Sequence, residues 1–186
     1  MANITLAETT QDLKGILDLQ RRNLTRNLSE EEVKSEGFVT VEHDLDLITR
    51  MNTAEKSVVA KSKDVVIGYT LAMTPVFASD IPILSHMFDQ FGHSHYQGKP
   101  IKEAHFIICG QVCVDKDFRG QKIMDRMYAL YRDTYKSRYA FVITEIADHN
   151  PRSLHAHLRV GFQIIHSYSS GKGIVWHLVL WDWNTS

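Results

Sequence analysis

The sequence predicts an α/β protein with a mixed, mostly antiparallel central sheet flanked by helices. Three observations carry that reading. Two apolar runs, Ser57 to Lys61 and Val65 to Met73, are joined by the short polar turn Ser62-Lys63-Asp64, the pattern of neighbouring strands. Residues 104–161 then give a strand followed by a helix twice over. Two further strand candidates, Phe162 to Tyr168 and Ile174 to Asp182, close the chain around a Ser-Ser-Gly-Lys-Gly turn. Strand, helices, strands, strand-helix twice and a closing hairpin together make a mixed sheet.

Taken in order, residues 3–8 alternate like a short strand. A helix follows, with Thr9 or Thr10 as N-cap and Leu13, Ile16, Leu17 and Gln20 on one face. Ser29-Glu30-Glu31-Glu32 is a capping-box pattern opening a short helix that Gly37 is expected to end. Leu45, Leu47, Ile48 and Met51 mark a further helical turn or two. Residues 75–103 are the least regular, with Pro75, Pro82 and Pro100, a short helix around Ile83 to Phe91, and Gly92-His93-Ser94-His95-Tyr96. A connection this long is often a lid or a binding loop. Ala104 to Val114 is the strongest buried strand, and the polar turn Asp115 to Gly120 leads to a helix from Gln121 to about Arg138. Its apolar positions Ile123, Met127, Leu130 and Tyr131 recur at helical spacing. Tyr139 to Ile146 is a strand, and after Asp148-His149-Asn150-Pro151 comes a helix ending at Gly161.

The 186 residues fit one domain, residues 1–186, long enough to bury a core without disulfides or metal. A formal net charge of -1 argues against a nucleic-acid binder, which carries a basic excess. No apolar run approaches the about 20 residues that span a bilayer, and the N-terminus lacks a basic region followed by an apolar core. The expectation is a cytoplasmic protein with no membrane partner. Cys109 and Cys113 are four apart, which puts both thiols on one face of a regular strand, buried in a reducing compartment. His86, His93 and His95 lack a Cys pair or acid at a ligand spacing, so no metal is expected.

A glycine between a buried strand and a helix start lets backbone approach a ligand. The free amides and positive dipole end of the helix form a ready diphosphate site, flanked here by Arg119 and Lys122. The stretch Val114 to Ile123, with Arg119-Gly120 at its centre, resembles the coenzyme A signature of the Gcn5-related N-acetyltransferase (GNAT) superfamily. It departs at Asp117, where Gln or Arg is usual, and at Lys122, where Gly or Ala is usual. Asn150, Ser153, His157 and Gly161-Phe162 resemble a second block of that superfamily at matching spacing. The same residues also read simply as a helix with Asn150 as cap, Pro151 at its first position and Gly161 at its end.

The resemblance implies acetyl transfer from acetyl-coenzyme A to an amine. The cofactor would lie along Val112, Cys113 and Val114, whose backbone would pair with the pantetheine arm and polarise the acetyl carbonyl. It would then cross Arg119, Gly120, Gln121 and Lys122 and the helix start at Ile123 and Met124, with Asn150 and Ser153 beside it. His157 stands where many members carry a Tyr that protonates the departing thiolate, a step that an ordinary histidine, with a pKa near ~6.5, can perform. Glu145, an acid in an apolar strand, and Glu103, at the start of the central strand, are candidate bases for the amine; His105, Asp148 and His149 are others. The loop from Pro75 to Glu103 would wall the acceptor site. The aromatic closing strand, Val175 to Trp183, could bury an edge against a second copy or equally be core. Two rivals remain: a degenerate domain that binds acyl-coenzyme A or a protein without turnover, and an unrelated nucleotide-binding α/β protein. The latter lacks any phosphate-loop or dinucleotide glycine motif.

Overall fold

The computed structural model describes residues 2–35, 37–170 and 173–184. The chain runs β1 (Asn3–Leu6), α1 (Thr10–Arg22), α2 (Glu30–Ser35), α3 (Leu45–Ala54), β2 (Val58–Ser62) and β3 (Val65–Met73). It continues through α4 (Ser85–His93), the small hairpin β4 (His95–Tyr96) and β5 (Lys99–Pro100), and β6 (Phe106–Val114). Then come α5 (Ile123–Tyr135), β7 (Phe141–Ala147), α6 (Pro151–Val160), β8 (Gln163–Ser169) and β9 (Val175–Asp182). Seven strands form one sheet in the order β1-β2-β3-β6-β7-β9-β8, and every pairing is antiparallel except β6 with β7. This is the mixed, mostly antiparallel sheet that the sequence predicts.

Local chemistry sets the helix ends. Thr9 caps α1, its hydroxyl accepting from the Asp12 amide while the Asp12 carboxylate accepts from the Thr9 amide. Ser29 and Glu32 make the same reciprocal pair at α2; the helix ends at Ser35, and Gly37 does not take a positive φ. Helix α5 is shorter at both ends than its apolar spacing predicts. At its start, Gly120 (φ 77°) and Lys122 (φ 56°) both take left-handed backbone, so the helix begins at Ile123. The centre of the closing turn, Gly171 and Lys172, lies outside the described residues.

Helices α1, α3 and α4 cover one face of the sheet, with Ile16, Leu19, Ile48, Met51, Met87 and Phe91 among its core. Helix α5 covers the other through Ile123, Met127, Tyr128, Tyr131 and Tyr135, and α6 joins it there through Leu154 and Val160. The irregular segment before β6 is packed rather than free. Phe91 stands edge-on to Phe106 at 5.2 Å, and the Tyr96 hydroxyl and Gln97 amide both donate to Asp182 at 3.0 Å.

One open alternative is decided and one sequence expectation is corrected. Strand β9 is not an edge: it pairs with β7 on one side and β8 on the other, so its aromatic residues are committed within the chain. The two cysteines do not share a face. Between the pairs Thr70–Val112 and Ala72–Cys109, both Gly110 and Gln111 stand opposite Leu71. The extra residue is a bulge that reverses the alternation, so Cys109 packs on the α5 side and Cys113 on the α1 side. A glycine inside a strand is the sequence signal for such a bulge.

Candidate active site

Strands β6 and β7 pair only through Phe106–Phe141, Ile107–Val142 and Ile108–Ile143. Beyond Ile108, β6 keeps its partner β3, and beyond Ile143, β7 keeps β9, but among the described residues the two no longer pair with each other. The sheet therefore opens into a wedge at its centre. Backbone groups on the inner edges of the wedge are left to an extended ligand, the logic by which a strand-like ligand joins a sheet. Val112, Cys113 and Val114 lie on the β6 side of this opening, each still held to β3 by Thr70, Tyr69 and Gly68.

At the mouth of the wedge the chain turns into α5. Gly120 is exposed, and a Cβ added there would meet nothing within 4 Å. Gln121 and Lys122 are exposed as well, while Ile123 is buried and Met124 half-buried. The first α5 amides have no side-chain cap and stand at the positive end of the dipole, a fit for a diphosphate. Arg119 is turned to a different task. Its guanidinium donates to the Val114 carbonyl at 3.1 Å and to Asn23 at 3.1 Å, tying the end of α1 to the turn. Lys122 is the exposed cation of the helix start.

A cavity of about 80 Å³ lies inside the wedge, lined by residues 38–41, Leu84, Met87, 109–112, 144–147, Asn150, Ser153, His157 and Trp176. It reaches both faces of the sheet. Glu145 lies on the same side of β7 as Phe141 and Ile143, whose neighbours are α1, α3 and α4. His157 comes from α6, on the opposite face. Asn150 caps α6 by accepting from the Ser153 amide at 3.3 Å and donates to the Phe38 carbonyl at 3.3 Å, which joins the two sides of the cavity.

Burial pushes the Glu145 carboxyl up to about 7, partly offset by a hydrogen bond donated by the Tyr168 hydroxyl. The group is therefore divided between acid and base near neutral pH. His157 shows the opposite effect. It is 1% exposed, and burial lowers its pKa to about 4. Its Nδ1 lies 2.8 Å from the Ser153 carbonyl, so Nδ1 donates, and Nε2 accepts from the Tyr128 hydroxyl at 2.9 Å. Cys109 lies 3.2 Å from the same hydroxyl, its thiol pushed up to about 12 by burial. In the free protein His157 is thus a neutral imidazole, and the ordinary histidine pKa assumed from sequence does not hold.

A second buried network supports the bulge. Gln111 accepts from Gln20 at 2.7 Å and from the Tyr69 hydroxyl at 2.6 Å, and donates to the Val41 carbonyl at 2.9 Å. Gln20 also donates to His43 Nδ1 at 2.7 Å. These residues fix the 38–43 segment against the cavity, and sequence reasoning missed them. Glutamines scattered over α1 and β6 carry no spacing signal.

Glu103 is the candidate that the structure separates from the rest. It is exposed in a short 3-10 turn before β6, at the end where β6 and β7 are still paired. His105 lies beside it and contacts the Arg138 carbonyl at 2.6 Å. Asp148 and His149 sit at the exposed end of β7, where His149 stacks on Phe38 at 5.4 Å. His86, His93 and His95 are exposed, and among the described residues no group of His, Cys, Asp or Glu is placed to hold a metal ion. Among the same residues no helix is long and apolar enough to cross a membrane.

Comparison with known proteins agrees with this geometry. A Streptococcus mutans protein superposes with a TM-score of 0.64 at 16% identity, covering 97% of this chain and 98% of that one. The Salmonella typhimurium protein yncA, solved with its cofactor acetyl-CoA, gives 0.62 at 13% identity over 100% and 95% of the two chains. An N-acetyltransferase from Staphylococcus aureus gives 0.59 at 16%, covering 98% of each. At these identities the likeness is one of fold. No curated protein sequence matches the chain. The sequence pattern of the Acetyltransferase (GNAT) family does match, over residues 16–162, from within α1 to the end of α6 and so across the whole wedge. The chain belongs to the GNAT acetyltransferase family.

Proposed function

We propose that the chain is an N-acetyltransferase, a single catalytic domain over residues 1–186, moving the acetyl group of acetyl-coenzyme A to a primary amine by direct attack in a ternary complex. The observation that carries this reading is the wedge between β6 and β7, with a helix start that has no side-chain cap at its mouth and Glu145 and His157 on its opposite faces.

The diphosphate would rest on the amides of Gly120, Gln121, Lys122, Ile123 and Met124, with Lys122 as the added cation. Arg119 holds the turn in shape, and Asn150 and Ser153 fix the start of α6. The pantetheine arm would lie along Val112, Cys113 and Val114 inside the wedge. Glu145, facing α4, takes the proton from the ammonium, and the free amine attacks the thioester carbonyl. The C–N bond forms, the C–S bond breaks, and the thiolate leaves toward α6. The nitrogen sheds its second proton as the amide forms. His157 Nε2, which carries no proton in the free protein, takes that proton up through water as thiolate charge develops and passes it to the sulfur. It can do so because a nearby anion offsets the desolvation that keeps the imidazole neutral. We assign the reaction to a reducing, cytoplasmic compartment, in keeping with the free buried thiols Cys109 and Cys113.

The second reading, a domain that binds acyl-coenzyme A without turnover, is favoured by one observation, the neutral state of His157. Calorimetry with acetyl-coenzyme A, comparing wild type and Gly120→Glu, tests the first step. A Cβ at residue 120 meets open space but φ is 77°, so the variant carries backbone strain of about 1 kcal/mol while placing a carboxylate in the anion cradle, and an unchanged thermal unfolding curve checks its fold. A micromolar site lost in the variant supports the reading, and no binding by the wild type overturns it. Binding without transfer to any amine leaves the non-catalytic domain.

A further inference from the structure

We infer that the acceptor is a compact primary monoamine on an apolar carbon skeleton, with no acid group beside the amine. The inference rests on the transferase reading and concerns the acceptor half of the same cavity. Its argument is the charge inventory of the wall. Among the described lining residues Glu145 is the one carboxylate, and there is no lysine or arginine. Arg21, Arg22 and Lys116 line a separate cleft of about 490 Å³ beside the 115–119 turn. A carboxylate or phosphate next to the amine would enter the cavity of about 80 Å³ without a cation to meet it, and an unpaired buried charge is strongly disfavoured.

The single carboxylate also limits the acceptor to one ammonium inside the cavity. A diamine that brought both ends in would leave one unpaired. Most of the rest of the acceptor-side wall is apolar, with Leu84 and Met87 from the α4 region, Val39 and Val41 from the segment after α2, and Trp176 from β9. Its polar members are Thr40 and Gln111, and the Gln111 amide is already bonded to Gln20, Tyr69 and Val41. Ile83, next to Leu84 in the chain, is 61% exposed, so the apolar surface continues outside the cavity. Such a wall rewards an alkyl or aryl body and gives a peptide backbone few partners.

Matched acceptors isolate each claim. Phenethylamine against phenylalanine, and pentylamine against norleucine, differ only by a carboxylate; pentylamine against 1,5-diaminopentane differs only by a second amine. A short peptide with an N-terminal phenylalanine supplies the fourth class. Acetyl-coenzyme A turnover should give the monoamines a kcat/KM at least ~30-fold above their amino acids, and several-fold above the diamine and the peptide. Leu84→Arg, with its fold checked by unchanged acetyl-coenzyme A binding, should narrow the gap between amine and amino acid by about 10-fold, because it supplies the missing cation. An amino acid, diamine or peptide preferred over the monoamines overturns the inference while leaving the transferase reading intact. A chain that binds acetyl-coenzyme A yet acetylates none of the four classes overturns both.

Discussion

Glu145 sits among apolar neighbours in β7, and its carboxyl is held near 7 by burial, with Tyr168 pulling it back down. A base with that value gains its reactive form as pH rises, so kcat/KM is expected to climb through a limb centred near 7. Tyr168→Phe removes the hydrogen bond that, among the described residues, stabilises the carboxylate, and the limb should move to higher pH by roughly one unit. Glu145→Gln should erase the limb and lower kcat/KM by about 10²-fold, with acetyl-coenzyme A binding unchanged. A pH profile that ignores both substitutions would remove Glu145 from the mechanism. His157 makes a different prediction, because in the free protein its Nδ1 proton is donated to the Ser153 carbonyl and its Nε2 accepts from the Tyr128 hydroxyl. If it serves the leaving thiolate, His157→Gln should lower kcat by about 10-fold or more while leaving the Kd for acetyl-coenzyme A within about threefold. Equal kcat in the two proteins would reduce His157 to a packing residue.

At the scale of the element, much of the architecture can be read from the sequence because the signals are local. Thr9, Ser29, Asn150 and Gly161 act within one turn of their own positions, and the structure places a cap at each. Gly161 shows why such a residue cannot vary. Its φ is 126°, and a Cβ there would stand 2.7 Å from Trp181 Nε1. Gly161→Ala should therefore destabilise the protein by about 2–3 kcal/mol in urea unfolding, through backbone strain and overpacking together. A loss under about 0.5 kcal/mol would mean that the α6–β8 corner yields easily. What sequence reading missed is non-local. The bulge at Gly110 and Gln111 depends on β3 across the sheet, and it alone moves Cys113 to the other face from Cys109. Glu103 is a candidate base by its nearness to β6 in the chain, but direction along the strand decides, and it lies at the closed end of the wedge. The pKa values of Glu145 and His157 were likewise out of reach, since both come from burial by distant elements.

For the whole molecule, the site sets the pH dependence of stability as well as of catalysis. His43 and His157 are both buried and lowered to about 4, so an unfolded chain binds protons at these residues that the folded chain refuses. Each contributes stability that is present above the unfolded value of 6.5 and is lost as pH falls toward 4, on the order of 3 kcal/mol per residue. Glu145 acts in reverse. Its folded value is raised from 4.5 to about 7, so its penalty is absent at low pH and grows as pH rises through 7. Between about pH 4.5 and 6.5 the two histidines together outweigh the single carboxyl by one proton, so stability should rise with pH at roughly 1.4 kcal/mol per unit and peak near 6.5. His157→Gln or His43→Gln alone should flatten the slope. The double variant should invert it, because Glu145 then acts without opposition. Urea unfolding across that range measures the slope directly. A double variant that keeps the wild-type slope would show that these buried groups are not what ties folding to pH, and would place the proton uptake elsewhere in the chain.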